Sequence, residues 1–143
     1  MHTRPGLIGF GAALALAFAM SLTGCTAPSV SLSEHDGPSS AFHGHVIGDQ
    51  AASWVAGGQR IAVLTAGSSS CAPYPVSVKA LDKSTVEIEL ATGGGAVCTA
   101  DLAEITFEVR TPDGVELGGD VEVVLVTGEF RSSLPIVSLG ASG

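Results

Sequence analysis

From Val76 to Val126 the chain repeatedly alternates apolar and polar residues with a period of two, and that period leaves few folds open. Val76, Val78 and Ala80 alternate with Ser77 and Lys79, and after a turn at Asp82-Lys83, Val86, Ile88 and Leu90 alternate with Glu87 and Glu89. Ile105, Phe107 and Val109 alternate with Glu104, Thr106, Glu108 and Arg110. Successive side chains of an extended strand point to opposite faces, so each segment offers one face to a core and one to water. Val121, Val123 and Leu125 continue the pattern, with Val124 and Val126 making that segment apolar on both faces. Arg60–Thr65, Val115–Leu117 and Ile136–Leu139 are shorter apolar runs, and Thr111-Pro112-Asp113-Gly114 is a turn through proline's fixed φ and glycine's tolerance of positive φ. No window carries a convincing helical period. Strands at this spacing predict an all-β fold, an antiparallel, immunoglobulin-like sandwich of about seven short strands.

Burying one Val, Ile or Phe is worth roughly 1.5–3 kcal/mol, so the core fixes the register. That register sends Glu87, Glu89, Glu104 and Glu108 to the solvent side, while Phe42 and Trp54-Val55 are expected to cap one end of the core.

The N-terminus has a different character. A short basic tip (His2, Arg4) precedes an apolar run from Leu7 to Leu22, the arrangement of a secretory signal. A bilayer-spanning helix needs about 20 apolar residues; this run is shorter, rich in Gly and Ala, and followed by no basic cluster. Leu22-Thr23-Gly24-Cys25 closes it and resembles the lipobox of bacterial lipoproteins. The resemblance implies cleavage before Cys25, a diacylglyceryl thioether on Cys25, and residence on the outer face of the cell membrane. Two acyl chains give a stable anchor where one does not. It implies no fold and no activity. The expected organisation is a signal peptide over 1–24, a flexible Ser/Pro-rich tether over 25–41 that includes His35, Asp36, Gly37 and Pro38, and a β-sandwich domain over 42–143.

With Cys25 assigned to lipid, Cys71 and Cys98 remain as an even pair in an oxidising compartment, which favours a disulfide over two buried thiols. Neither belongs to a C-x-x-C spacing, so zinc-ribbon and redox readings find no support. All fourteen acidic residues but only five of the six basic ones follow Cys25. A chain this acidic lacks the basic footprint of a nucleic-acid binder and would not dock by charge on anionic lipid heads.

Candidate chemistry is sparse. His43-Gly44-His45 would present two imidazoles on one side of an extended strand, enough to begin a zinc or copper site if His35, Asp36 or Asp49 completed it. Two such histidines in a Gly-rich entry segment are more commonly solvated surface residues. Ser68-Ser69-Ser70 lacks a nucleophile elbow, and all four histidines precede it, at or before His45, so a turn tied to the disulfide is the better reading. Gly93-Gly94-Gly95 is followed by Ala96-Val97-Cys98 rather than by the Lys or Ser/Thr of a phosphate cradle, which points to a loop approaching the disulfide. The four strand glutamates read as a solvated face instead of the paired carboxylates of a glycosidase cleft. Nor do they have the turn-based ligands of a calcium loop.

Gly67-Ser68-Ser69-Ser70-Cys71-Ala72-Pro73-Tyr74-Pro75 with Gly93-Gly94-Gly95-Ala96-Val97-Cys98-Thr99-Ala100-Asp101 resembles a pattern of small exported proteins and lipoproteins of high-GC Gram-positive bacteria. That likeness supports the cysteine pairing and implies no activity. The expected function is therefore a lipid-anchored binding or structural module without cofactor or catalytic residues, meeting an envelope protein, a wall polymer or a small solute through its loops. Ala72-Pro73-Tyr74-Pro75 as a rigid, exposed inhibitory loop is a variant of this reading. The alternative is a metal-handling protein or enzyme centred on His43 and His45.

Overall fold

The computed structural model describes residues 28–136; the expected signal peptide, the expected lipidation residue Cys25 and residues 137–143 lie outside the described residues. Eight strands follow one another: β1 (Ser33–Asp36), β2 (Ala51–Val55), β3 (Arg60–Gly67), β4 (Pro73–Ala80), β5 (Thr85–Thr92), β6 (Ala103–Arg110), β7 (Val121–Thr127) and β8 (Phe130–Ile136). They form two four-stranded sheets, ordered β1-β6-β3-β2 and β4-β5-β7-β8. The molecule is an all-β sandwich.

Five of the six strand pairings are antiparallel and one, β5 with β7, is parallel. The chain explains the exception. β5 climbs toward the end that carries the disulfide, β6 descends in the opposite sheet, and β7 climbs again beside β5. A return strand in the facing sheet thus replaces the helical crossover that parallel strands usually need.

The alternation seen in the sequence builds the space between the sheets. Ile61, Val63, Val86, Ile88, Phe107, Val109, Val121, Val123, Leu125 and Leu134 pack there, joined by Trp54. Trp54 sits at the end of the core away from the disulfide, and its indole N–H donates to the Gly119 carbonyl at 2.7 Å, which satisfies the one polar atom it buries. In β4 the register shifts between Pro75 and Ser77, so Pro75, and not Val76, is buried above Val78 and Ala80. Such a bulge changes which residues face the core beyond it. Pro73, Pro75 and Pro135 all lie on β4 or β8, the edge strands of their sheet, where a missing N–H breaks no ladder.

Phe42 does not cap the end of this core. It lies with Ala62 and Leu64 in a second cluster, with Ala41, Ala51 and Val55 packed around it. β3 therefore buries both faces, and the chain over 37–50 covers the outer side of its sheet. Thr106, fully buried on that outer side, holds the cover in place. Its hydroxyl donates to the Gly37 carbonyl at 2.7 Å and accepts the Ser39 N–H at 3.2 Å.

The segment expected as a tether contains β1, paired along its length with β6, and the Val30 N–H donates to the Pro75 carbonyl of β4 at 2.8 Å. Residues 30–36 thus join the edges of the two sheets. On the other edge, the Ser132 hydroxyl of β8 reaches Gln50, just ahead of β2, at 2.8 Å. Val115–Leu117 is not a strand: Val115 is buried as an anchor inside the β6–β7 connection, and Glu116 donates its N–H to the Lys83 carbonyl.

Candidate functional site

The end of the sandwich where β3, β5 and β7 finish and β2, β4, β6 and β8 begin gathers four connections: 37–50, 68–72, 93–102 and 128–129. Cys71 and Cys98 are disulfide-bonded there, with their Cα atoms 5.5 Å apart, as their sequence positions suggested. Cys71 is buried and Cys98 exposed, so the bridge pins the surface loop 93–102 onto the sandwich floor. Gly94 passes directly over it with φ at +90°, and a Cβ there would stand 2.1 Å from the Ser70 carbonyl oxygen. Only glycine fits that crossing.

The three serines are structural. Ser69–Cys71 forms a 3-10 turn, and the hydroxyls of Ser68, Ser69 and Ser70 lie 2.8, 3.4 and 3.1 Å from the Thr99 hydroxyl. Ser70 also accepts the Thr99 N–H at 2.8 Å. The Asp101 carboxylate accepts the Ser69 N–H at 3.2 Å and the Thr99 hydroxyl. Hydrogen bonds from Ser69, then Thr99, hold its pKa down at about 2. Among the described residues no histidine is a hydrogen-bond partner of these serines.

His43 and His45 do not behave as a strand pair. Gly44 between them has φ at +75° and the segment is a turn, so the same-side projection of an extended chain does not apply. His43 is exposed, whereas His45 is half-buried with Nε2 3.3 Å from the Glu104 carboxylate and Nδ1 3.3 Å from the Phe42 carbonyl. Glu104 also accepts the Gly48 N–H at 2.9 Å, and that bond first, with His45 second, holds its carboxyl below the usual carboxylate range. Among the described residues no group of three or more His, Cys, Asp or Glu side chains could hold a metal ion.

The glutamates of the alternating pattern do not share one face. Glu87 and Glu89 lie on the outer side of the β4-β5-β7-β8 sheet, and Glu104 and Glu108 on the outer side of the other. Three of the four are engaged rather than simply solvated. Glu87 meets Lys79 at 2.8 Å and Arg131 at 3.0 Å, which hold its carboxyl below the usual range, Lys79 foremost. Glu108 meets Arg60 at 2.6 Å, and Glu104 secures the 37–50 segment. Ala72-Pro73-Tyr74-Pro75 is not a free loop, because Pro73 onward belongs to β4.

What the sequence did not single out is the rim of this end. Val46, Ile47, Val97, Leu102 and Phe130 are five of the nine large apolar side chains exposed among the described residues. Val97 is 85% exposed, Phe130 83% and Ile47 75%. The same end holds a cavity of about 330 Å³ between the sheets, lined by Gln50, Gly67, Cys71, Leu90, Cys98 and Thr127 among others. Val97 directly precedes Cys98, and Ile47 lies three residues before Gln50. Phe130 is the cross-strand partner of Thr127, so the two share the face of the sheet that lines the cavity. A larger depression of about 510 Å³ at the opposite end is bounded by Ile136, the last described residue.

Comparison of the chain with known proteins finds no matching family model, no matching curated protein and no matching solved structure.

Proposed function

We propose that this protein is a lipid-anchored β-domain of the cell envelope, held at the outer face of the membrane through acylated Cys25, and that it is a non-enzymatic binding module. Its working surface is the disulfide end. The observation that carries this reading is the concentration of five exposed apolar side chains, four on two connections and Phe130 at the start of β8, at the end of the sandwich that holds this cavity. Exposed apolar groups cost solubility when gathered, and a gathered set rimmed by polar residues marks a contact surface. Loops mounted on a rigid sandwich are common binding platforms.

The anchor and this surface are compatible. Because Val30 is already hydrogen-bonded to β4, only the residues from Cys25 to Ser29 separate the acylated position from the sandwich. At about 3.3–3.6 Å per extended residue the reach is roughly 18 Å. The domain would ride close to the bilayer. β1 runs from that entry toward the disulfide end, since Asp36 pairs with Ile105 near the start of β6.

The test is photo-crosslinking in intact cells, with a photoreactive residue at position 97 or at position 117 on the opposite end. Partners should be trapped from 97 and not from 117. Equal trapping from both, or none from 97, would overturn the assignment of the surface.

A further inference from the structure

Resting on the reading of the disulfide end as the contact surface, the charge around its cavity gives the partner a chemistry. The connections 37–50, 68–72, 93–102 and 128–129 carry Asp49, Asp101 and Glu129 and no lysine or arginine. Each acid stands within two residues of a lining residue in the chain or is hydrogen-bonded to such a neighbour. Asp49 precedes the lining residue Gln50, Asp101 is bonded to Ser69 beside lining Ser68, and Glu129 lies in the turn between lining Thr127 and Phe130. All three acids are exposed.

Four of the five lysine and arginine side chains of the described residues lie away from this end. Arg60 and Lys79 are committed to Glu108 and Glu87, and Lys83 and Arg110 are at the far end of the sandwich. Arg131, next to Phe130, is bonded to Glu87 on the outer sheet face at 3.0 Å. Inside the cavity the named lining has no charged side chain: Ser68, Thr92, Thr127 and Gln50 supply neutral polar groups, and Ala66, Pro73, Leu90 and the disulfide supply apolar walls.

This is an uncharged pocket with an apolar lip and an acidic border. Its volume of about 330 Å³ lies at the small end of ligand pockets, which run from roughly 300 to 1,000 Å³. That suits one bulky side chain better than an extended cofactor. Tight protein contacts are organised in this way, with an aromatic or aliphatic anchor seated in a pocket and complementary charges at the rim. We propose that the cavity receives an apolar anchor side chain from a partner protein segment whose flanking residues are lysine or arginine. An acidic wall polymer would be repelled by the same border, and a neutral glycan would gain nothing from it.

The experiment uses the full-length protein in detergent micelles and three fluorescein-labelled peptides, read by fluorescence anisotropy. The first is Gly-Ser-Lys-Trp-Arg-Ser-Gly; the second has Ala in place of Trp, and the third has Glu in place of both Lys and Arg. The first should bind about tenfold or more tightly than either of the others. Its affinity should fall as salt rises. Phe130→Ala and Val97→Ser should weaken it by on the order of fivefold or more, while Leu117→Ala at the opposite end leaves it unchanged. Phe130 and Val97 are each more than four-fifths exposed, so these variants should keep the wild-type melting temperature. Equal binding of the three peptides, no binding of the first, insensitivity to Phe130→Ala, or preferential binding of a neutral oligosaccharide would overturn the proposal. If crosslinking from position 97 still traps a partner in that event, the contact surface stands and only its chemistry was misassigned. If crosslinking fails as well, both readings fall.

Discussion

Replacing Cys71 and Cys98 together by alanine tests how much of the sandwich rests on one covalent link. The two cysteines are 27 residues apart in sequence, and the β4–β5 hairpin lies between them. In the chain-entropy account, cross-linking removes loop-closure freedom from the unfolded ensemble, and for this separation that is worth about 3.5 kcal/mol at 25 °C. Against a total of about 5–15 kcal/mol for a typical domain, the loss is large. At about 4 °C per kcal/mol for a domain of this size, the midpoint should fall by about 15 °C. Thermal and guanidinium unfolding of the exported wild type, oxidised and reduced, and of the double alanine variant would measure the shift and the free energy. Reduction of the wild type separates the cross-link from the small loss of packing at buried Cys71. A difference below about 1 kcal/mol in both comparisons would refute the reasoning, because the entropy of the open loop would then already be absent from the unfolded state. Peptide mapping of non-reduced protein should recover the 71–98 cross-link.

Three further outcomes are expected. Labelled fatty acid should enter the wild type, and Cys25→Ala should abolish both labelling and maturation; equal labelling of the two would remove the anchor from the account. Phe42→Ala should cost about 3 kcal/mol by uncovering Ala62 and Leu64, read as a shift in the denaturant midpoint, whereas a neutral result would mean that the 37–50 cover adds no stability. Glu104 has a carboxyl held below its ordinary value of 4.5, so its contribution is present above that value and is lost as pH falls through the lower folded-state value. Stability should therefore decline on acidification below about pH 5, and Glu104→Gln should flatten the slope; parallel pH profiles for the two proteins would count against the Glu104 clasp.

The parts of the fold that were legible in the sequence are those whose side chains face a core. β4, β5, β6 and β7 announced themselves by alternation because one face of each is buried between the sheets. β1 (Ser33–Asp36) gave no such signal. It is a short edge strand with every residue exposed, held by backbone pairing to β6 alone, and backbone pairing leaves no hydrophobic period. β8 (Phe130–Ile136) went unread for a related reason: its Arg131, Ser132, Ser133 and Pro135 hide the inward series that ends in Leu134 and Ile136. The cysteine pair was legible by counting. The rim was not, since Val97, Ile47 and Phe130 look in sequence like any other core residue, and only exposure distinguishes them.

By itself the sequence determined the class of fold, which face of the central strands turns to the core, and the pairing of Cys71 with Cys98. Each of these follows from local periodicity or from an elementary count, and neither needs knowledge of which segments meet. The tertiary structure decided what depends on meeting. It ran β5 parallel to β7, because β6 returns through the facing sheet. It turned Phe42 from a presumed end-cap into the lid of an outer cluster, and Glu104 and Glu87 from solvated carboxylates into clasps for a loop and a strand pair. It also set an apolar lip and an acidic border around one cavity, drawing on residues as far apart in the chain as Ile47 and Phe130. Apolar periodicity records which side of a strand is buried; it carries no record of which distant loop arrives at the strand's end.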